Sequence, residues 1–231
     1  MRRIICTLIP CLLASIAIAQ TSFDREICDI TLLQTAEVKK ELGVTQAQRD
    51  KMNVASRSYN SVAQKVEEKL RKGQKPTEAE KTKMRSEFQK MKSGVLDALS
   101  ATQVKRLREI TLQTAGLIAL TDPVIASKVG LSKGQMTKIE GTLKDTYEKV
   151  GKLTQGAQAK VEKEFKDKNP KTEAEKKKLA DQYRKRIDEE LGKVRPQVEK
   201  LQRDGRDKIM GTLSEGQRSV WNSLLGKPFN P

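Results

Sequence analysis

The sequence predicts an all-α protein of long antiparallel helical hairpins that arose by internal duplication, extended rather than globular. Of its 231 residues only 36% are hydrophobic and 3% aromatic, against 33% charged. This balance cannot fill a thick globular core. It suits thin helical layers, in which one apolar stripe of each helix is buried. No segment has the alternating, β-branched pattern that is typical of a strand.

A short motif occurs four times, with an aliphatic residue before Ser or Thr and a Gln three residues after it. The hydroxyl residue is read as a helix N-cap, and the Gln side chain reaches back to the N–H of the cap. Each copy therefore predicts the start of a helix. The cap and glutamine pairs are Thr45 with Gln48, Ser100 with Gln103, Ser132 with Gln135, and Ser214 with Gln217.

An internal repeat accompanies these motifs. Residues 33–52 align without gaps on residues 120–139, an offset of 87, and residues 77–81 recur at 172–176 with an offset of 95. The larger second offset means that the second copy has a longer hairpin. We therefore predict a duplicated chain. The predicted repeats span residues 20–121 and 122–231.

The first nineteen residues have the pattern of a secretory signal peptide. Arg2 and Arg3 form a positive start, residues 4–18 are apolar, and Ala19 precedes a cleavage site before Gln20. The apolar run is short for a bilayer, so we expect cleavage and no transmembrane segment afterwards. The expected location is periplasmic or secreted. Loss of the two arginines lowers the formal charge from +16 to +14.

Export also decides how the cysteines are interpreted. Cys6 and Cys11 lie in the signal peptide, which leaves Cys28 without an internal disulfide partner. Cys28 lies among apolar residues of a predicted helix face. We interpret it as a small buried side chain, with an intermolecular disulfide as the alternative.

The first repeat predicts helices separated by glycine and proline. A helix over residues 24–42 ends at the C-cap Gly43. The next two helices, over residues 45–72 and 77–99, carry apolar residues at alternating spacings of three and four, which predicts a facing antiparallel pair. A further helix then runs from Ser100 to about Thr121.

The second repeat predicts the same plan on a larger scale. Asp122 and Pro123 begin a short helix. Ser132 then opens an arm of about 35 residues, and Thr172 caps the returning arm. Pro196 lies inside that arm and predicts a kink or a break there. The motif at Ser214 and Gln217 opens the last helix.

These features resemble the Spy/CpxP family of periplasmic LTxxQ-motif proteins. Members of that family are exported and helical, and such motifs begin their helices. In that family a subunit carries two motifs, and two subunits form a curved helical dimer. The four motifs here imply that one chain can contain what the family assembles from two. The resemblance implies an ATP-independent chaperone that holds unfolding clients in the cell envelope. The alternative is a non-catalytic structural or regulatory module, either the partner of an envelope-stress sensor or a polyanion binder.

Enzymatic chemistry is difficult to place on this sequence. The chain has no histidine, which removes the usual general base near neutral pH and the commonest zinc ligand. It has no glycine-rich phosphate loop and no nucleophile elbow. The densest carboxylate cluster, residues 188–190, has basic neighbours and is interpreted as a solvated, ion-paired helix face. We expect no enzyme activity and no cofactor.

The basic charge can serve as a solubilising surface, attract unfolded clients, or bind a polyanion. Nucleic acid is not the favoured partner, because aromatic side chains that could stack on bases are scarce. The expected partner is an unfolded client or an envelope protein, with a homo-oligomer left open. Adaptable apolar side chains are the candidate client contacts, unless they only pack the hairpins. These candidates are Phe165, Tyr183, Tyr147 and Met136.

Overall fold

A computed structural model describes residues 22–230, so the predicted signal peptide and the cleavage site at Ala19 and Gln20 lie outside the described residues. Within them the chain consists of helices and turns without a strand, which confirms the all-α class. The helices are α1 (residues 22–27), α2 (Ala36–Glu41), α3 (Gln46–Arg71), α4 (Glu78–Asp97), α5 (Ala101–Ala115), α6 (Pro123–Val129), α7 (Lys133–Phe165), α8 (Glu173–Thr212) and α9 (Glu215–Leu225).

The described chain divides into two compact units. Unit 1 comprises residues 22–116 together with residues 223–230, and unit 2 comprises Leu117–Asn222. The predicted boundary after residue 121 differs from this division by five residues. The C-terminal residues, which the sequence repeat assigned to the second copy, belong to unit 1.

Unit 1 is built around α5. Residues 106–110 of this helix are all buried, so α5 is covered on every side, including the sides that carry Arg106 and Arg108. The helices α3 and α4 form an antiparallel hairpin, in which Ala55 lies so close to Gly94 that a Cβ there would stand 2.8 Å from the alanine Cβ. The buried apolar cluster of unit 1 contains Cys28, Ile30, Leu33, Val38, Leu42, Val44, Val95, Leu96, Leu99, Val104, Leu107 and Ile110.

The predicted single helix over residues 24–42 is wrong. The segment contains the end of α1, a 3-10 helix over Ile30–Gln34 and then α2. Asp29 caps the 3-10 helix through Thr31 N–H, and Thr35 caps α2 through Val38 N–H. Short polar side chains compete with the helix for backbone groups, and they interrupt it here twice.

The tip of the first hairpin is closed by a side chain from each arm. Thr77 and Glu80 form the capping box that opens α4, and Lys69 of α3 makes an ion pair with Glu80. The Lys69 hydrogen bond and the backbone N–H of Thr77 lower the pKa of Glu80 to about 2. Nearer the base, Tyr59 and Phe88 pack edge to face with ring centroids 5.6 Å apart.

Unit 2 contains the second and longer hairpin, formed by α7 and α8. These helices have 33 and 40 residues, and α8 is opened by the predicted box of Thr172 and Glu175. The two helices approach closely at Gly205, where a Cβ would lie 2.6 Å from Thr146 Oγ1. Each arm buries only three residues, and most of the predicted apolar stripe is half-exposed.

Of the kink or break predicted at Pro196, the break does not occur, because α8 continues through this residue to Thr212. Pro196 has no N–H, so the Gly192 carbonyl one turn earlier loses its helical partner. Both residues are exposed, and water can satisfy that carbonyl. This explains why the proline is tolerated in the middle of a long helix.

Within residues 22–230, no single helix is both long and apolar enough to cross a bilayer. In this described part of the chain, one bent pair, Ala101–Thr121 with Pro123–Val129, reaches that length and apolarity when its two parts are taken together.

Candidate functional site

Both hydrogen bonds of the predicted capping box are present in all four motifs. At the first motif, Gln48 N–H donates to Thr45 Oγ1 at 3.2 Å and Thr45 N–H donates to Gln48 Oε1 at 3.0 Å. The other three motifs repeat this geometry, with distances between 2.8 and 3.2 Å. The motifs begin α3, α5, α7 and α9.

In unit 1 the two motif glutamines also bind each other. Gln48 Nε2 donates to Gln103 Oε1 at 2.7 Å, and Gln103 Nε2 donates to Gln48 Oε1 at 3.2 Å. The same amides donate to the backbone just before the opposite motif, to the carbonyls of Ala98 at 3.0 Å and Leu42 at 2.9 Å. The two corners of the first hairpin are therefore joined through one pair of side chains.

Unit 2 contains a second pair of the same kind. Gln135 Nε2 and Gln217 Oε1 are 2.7 Å apart, and the reciprocal bond measures 3.1 Å. Gln135 also donates to the Thr212 carbonyl at 2.8 Å, and Gln217 donates to the Gly130 carbonyl at 2.6 Å. The duplication thus repeats a reciprocal amide pair, which the sequence analysis did not predict.

This geometry explains why the motif carries Gln where a capping box alone accepts Gln or Glu. Each amide oxygen accepts from its own cap and from the partner amide, while each amide nitrogen donates to the partner and to a carbonyl. A carboxylate has no donor for the last two bonds. Glu is found at the hairpin tips, at Glu80 and Glu175, where no second motif is joined.

A second polar cluster, also missed from the sequence, holds the C-terminal strap, residues 224–229, against α5. The Arg108 side chain is 2% exposed, and it forms an ion pair with Asp24 at 2.9 Å while donating to the Leu224 carbonyl. Gln113 donates to the carbonyls of Leu225 and Lys227, at 2.6 and 2.8 Å.

Arg106 completes the contact with the strap. It pairs with Glu41 at 2.8 Å and Glu109 at 2.9 Å, and it donates to the Lys227 carbonyl at 2.7 Å. Hydrogen bonds from Lys227 and Arg106 lower the pKa of Glu41. At Gly226 the φ angle is +63°, and a Cβ would stand 2.2 Å from the Glu109 carboxyl carbon. Only glycine fits this turn.

Two of the candidate client contacts face each other at the tip of the second hairpin. The rings of Phe165 and Tyr183 pack edge to face, with centroids 5.3 Å apart and planes at 89°. The ammonium of Lys168 lies 3.8 Å from the Phe165 centroid. Both rings are half-buried, so these residues pack the hairpin while keeping one side accessible.

The other two candidates lie in the base half of α7. Tyr147 is 59% exposed and Met136 is half-buried. Tyr147 continues a row of half-exposed apolar side chains, which we call the second-hairpin seam. A pair of helices covers each seam residue from one side only, so the other side stays accessible to solvent. The seam residues are Leu143, Val150, Leu153, Tyr183, Ile187, Val194, Val198 and Leu201.

Replacing both Phe165 and Tyr183 by Ala is expected to destabilise the second hairpin, because an aromatic pair is worth about 0.5–1.5 kcal/mol beyond its buried area. Client protection should be retained, since the seam nearer the base is unchanged. Urea unfolding and an aggregation assay on the same variant test this. Loss of protection with unchanged stability would instead assign the two rings to client binding.

In the carboxylate cluster at residues 188–190, Glu189 and Glu190 form ion pairs, as predicted, but Glu190 is not solvated. Glu190 is buried at 6% exposure and meets Lys193, Arg186 at 3.4 Å and Lys160 at 3.9 Å. The Lys193 hydrogen bond lowers the Glu190 pKa although burial opposes the shift. The buried carboxylate therefore serves as an ion-pair centre that links α7 and α8.

Cys28 is buried, as the sequence predicts, and its Sγ lies 3.3 Å from the Val104 carbonyl oxygen. Burial, followed by the negative charge of Asp24, raises the pKa of this thiol to about 12. Among the described residues, no group of three or more Cys, Asp or Glu side chains is placed to hold a metal ion.

Comparison with protein-family models, with curated proteins and with solved structures gives no match.

Proposed function

We propose that this chain is an exported, ATP-independent chaperone-like protein of the Spy/CpxP-like LTxxQ type. In this proposal residues 1–19 are removed, and the mature chain binds unfolded or stress-damaged proteins in the cell envelope, with neither catalysis nor a cofactor. Its strong positive charge, +14 after signal removal, would draw in acidic segments of clients at long range.

The observation that carries the proposal is the second-hairpin seam. Its side chains are aliphatic or aromatic, half-exposed, and spread along two helices of 33 and 40 residues. A long row of partly covered apolar side chains can bind irregular apolar segments of a client at many points. Charged residues surround the row, which keeps the exposed apolar area divided into narrow strips.

The test is light scattering of a heat- or reductant-unfolded client, with and without the mature protein, at low and moderate salt and without ATP. The proposal predicts suppression of aggregation at both salt concentrations, by equimolar or less protein. An effect confined to low salt, or no effect, would contradict it. That outcome would favour the alternative of a structural or regulatory envelope module, to be sought by affinity capture.

A matched pair of surface variants makes this assay site-specific. Tyr147→Ser removes the most exposed aromatic side chain near the seam, which is 59% exposed. Val54→Ser removes an apolar side chain that is 57% exposed on α3 of unit 1. We expect only the first variant to weaken client protection, and equal loss in both would place client binding outside the seam.

A further inference from the structure

The tip of the second hairpin, residues 163–185, carries most of the net positive charge of that hairpin. It holds nine basic and five acidic side chains, a net charge of +4. The rest of the hairpin, residues 133–162 and 186–212, holds thirteen basic and ten acidic side chains, a net charge of +3 over more than twice as many residues. The positive charge of the second hairpin is therefore concentrated at its tip and is not spread evenly along its length.

Four of the five acidic side chains at the tip, all except Asp167, have a partner, including Asp181, which lies 3.8 Å from Arg184. Glu164 accepts two hydrogen bonds from Arg186, at 2.8 and 3.0 Å, and Glu173 pairs with Lys176 at 2.7 Å. Glu175 is held by the backbone N–H groups of Lys171, at 2.7 Å, and of Thr172, at 3.1 Å.

Most lysines of the tip, by contrast, have no counterion. Seven exposed lysines, from α7, the connecting turn and α8, form no ion pair among the described residues. Three of these residues, Lys168, Lys171 and Lys178, also line one open hollow of about 470 Å³ at the turn. The seven unpaired lysines are Lys163, Lys166, Lys168, Lys171, Lys177, Lys178 and Lys185.

The aromatic residues at the tip distinguish between anionic partners. The Phe165 ring packs edge to face with Tyr183, and the Lys168 ammonium covers one of its faces. The ring is therefore poorly placed to stack on a nucleobase. Half-exposed aromatic rings beside lysines are instead typical of side chains at a membrane surface. Lysines from both arms and the turn also suit contact with a plane at the end of the hairpin.

We propose that the second-hairpin tip docks on an anionic lipid surface, with the unpaired lysines contacting headgroup phosphates. This attachment is separate from client binding by the seam, whose residues all lie outside the tip except Tyr183. It would hold the protein at a membrane while the seam stays accessible. Because the attraction is electrostatic and at the surface, it should weaken strongly as salt screens the charges.

The test uses the full mature chain and sedimentation with vesicles of phosphatidylcholine containing about 30% phosphatidylglycerol, against phosphatidylcholine alone. The variant neutralises Lys171, Lys177 and Lys178 as Gln. Each lysine near an anionic membrane contributes about fivefold to partitioning, so the triple variant should lose on the order of a hundredfold. The matched control neutralises Lys133, Lys138 and Lys152, three exposed lysines of α7 outside the tip.

The proposal expects binding to anionic vesicles only, loss in the tip variant, and near-normal binding in the control with the same net charge. Circular dichroism confirms that both variants fold. Three results would overturn it: no vesicle binding by the unchanged protein, equal losses in the two variants, or binding to duplex DNA or an acidic polysaccharide without binding to vesicles.

Discussion

Replacing Arg108 by Met is expected to lower the free energy of unfolding by about 3–5 kcal/mol, the usual cost of removing one partner from a buried ion pair. Arg108 is 2% exposed and Asp24, its partner, 7%. Without the guanidinium, the Asp24 carboxylate remains buried without its counterion and the Leu224 carbonyl loses a donor. A loss of this size is a large share of the stability of an ordinary domain.

Two further variants make the Arg108 result interpretable. Arg85→Met alters an exposed arginine of α4 and should change stability by less than about 0.5 kcal/mol. Adding Asp24→Leu to Arg108→Met removes the stranded carboxylate and should recover part of the loss. Urea unfolding followed by circular dichroism measures all three. A loss below about 1 kcal/mol for Arg108→Met would show that the strap cluster does not stabilise unit 1.

Replacing Gln103 by Glu should cost about 2–4 kcal/mol, although the change keeps the capping box intact. The Glu side chain can still accept from the Ser100 N–H. It cannot donate to the Leu42 carbonyl or to Gln48 Oε1, which the amide bonds at 2.9 and 3.2 Å. The substitution therefore measures how much the bonds between the two motifs stabilise the protein, separately from the capping of one helix.

The reverse change at a hairpin tip is the matched control. Glu175 in the box with Thr172 accepts the backbone N–H groups of Lys171 and Thr172 through one oxygen, which a glutamine oxygen can replace. Glu175→Gln should therefore change unfolding free energy by less than about 0.5 kcal/mol. If Gln103→Glu were equally neutral, the reciprocal amide pair would contribute nothing beyond capping.

Features that depend on neighbouring residues could be predicted from the sequence. A capping box spans four residues, and the six boxes at Thr45, Thr77, Ser100, Ser132, Thr172 and Ser214 gave helix starts that the structure contains. The alternation of apolar residues likewise predicted which helices pair. Local competition explains the error at residues 24–42, where Asp29 and Thr35 cap shorter helices.

Features that depend on distant residues could not be predicted in the same way. From the sequence, Arg106 and Arg108 have the pattern of surface charges on an amphipathic helix. In the structure, residues 224–229 cover them and accept their hydrogen bonds. The pairing of Gln48 with Gln103 joins positions 55 residues apart, and no spacing in the sequence marks it. The one sequence signal for this pairing was that glutamine recurs in all four motifs, although glutamate would also cap a helix there.

Site-specific photo-crosslinking tests the proposed client binding by the second-hairpin seam most directly. A photoreactive residue is placed at Tyr147, on the seam side of α7, or at Asp145, two residues away and so on the opposite side of the helix. An unfolding client should crosslink strongly at position 147 and weakly at position 145. Equal crosslinking at both positions, or none at 147 while aggregation is suppressed, would contradict binding at the seam.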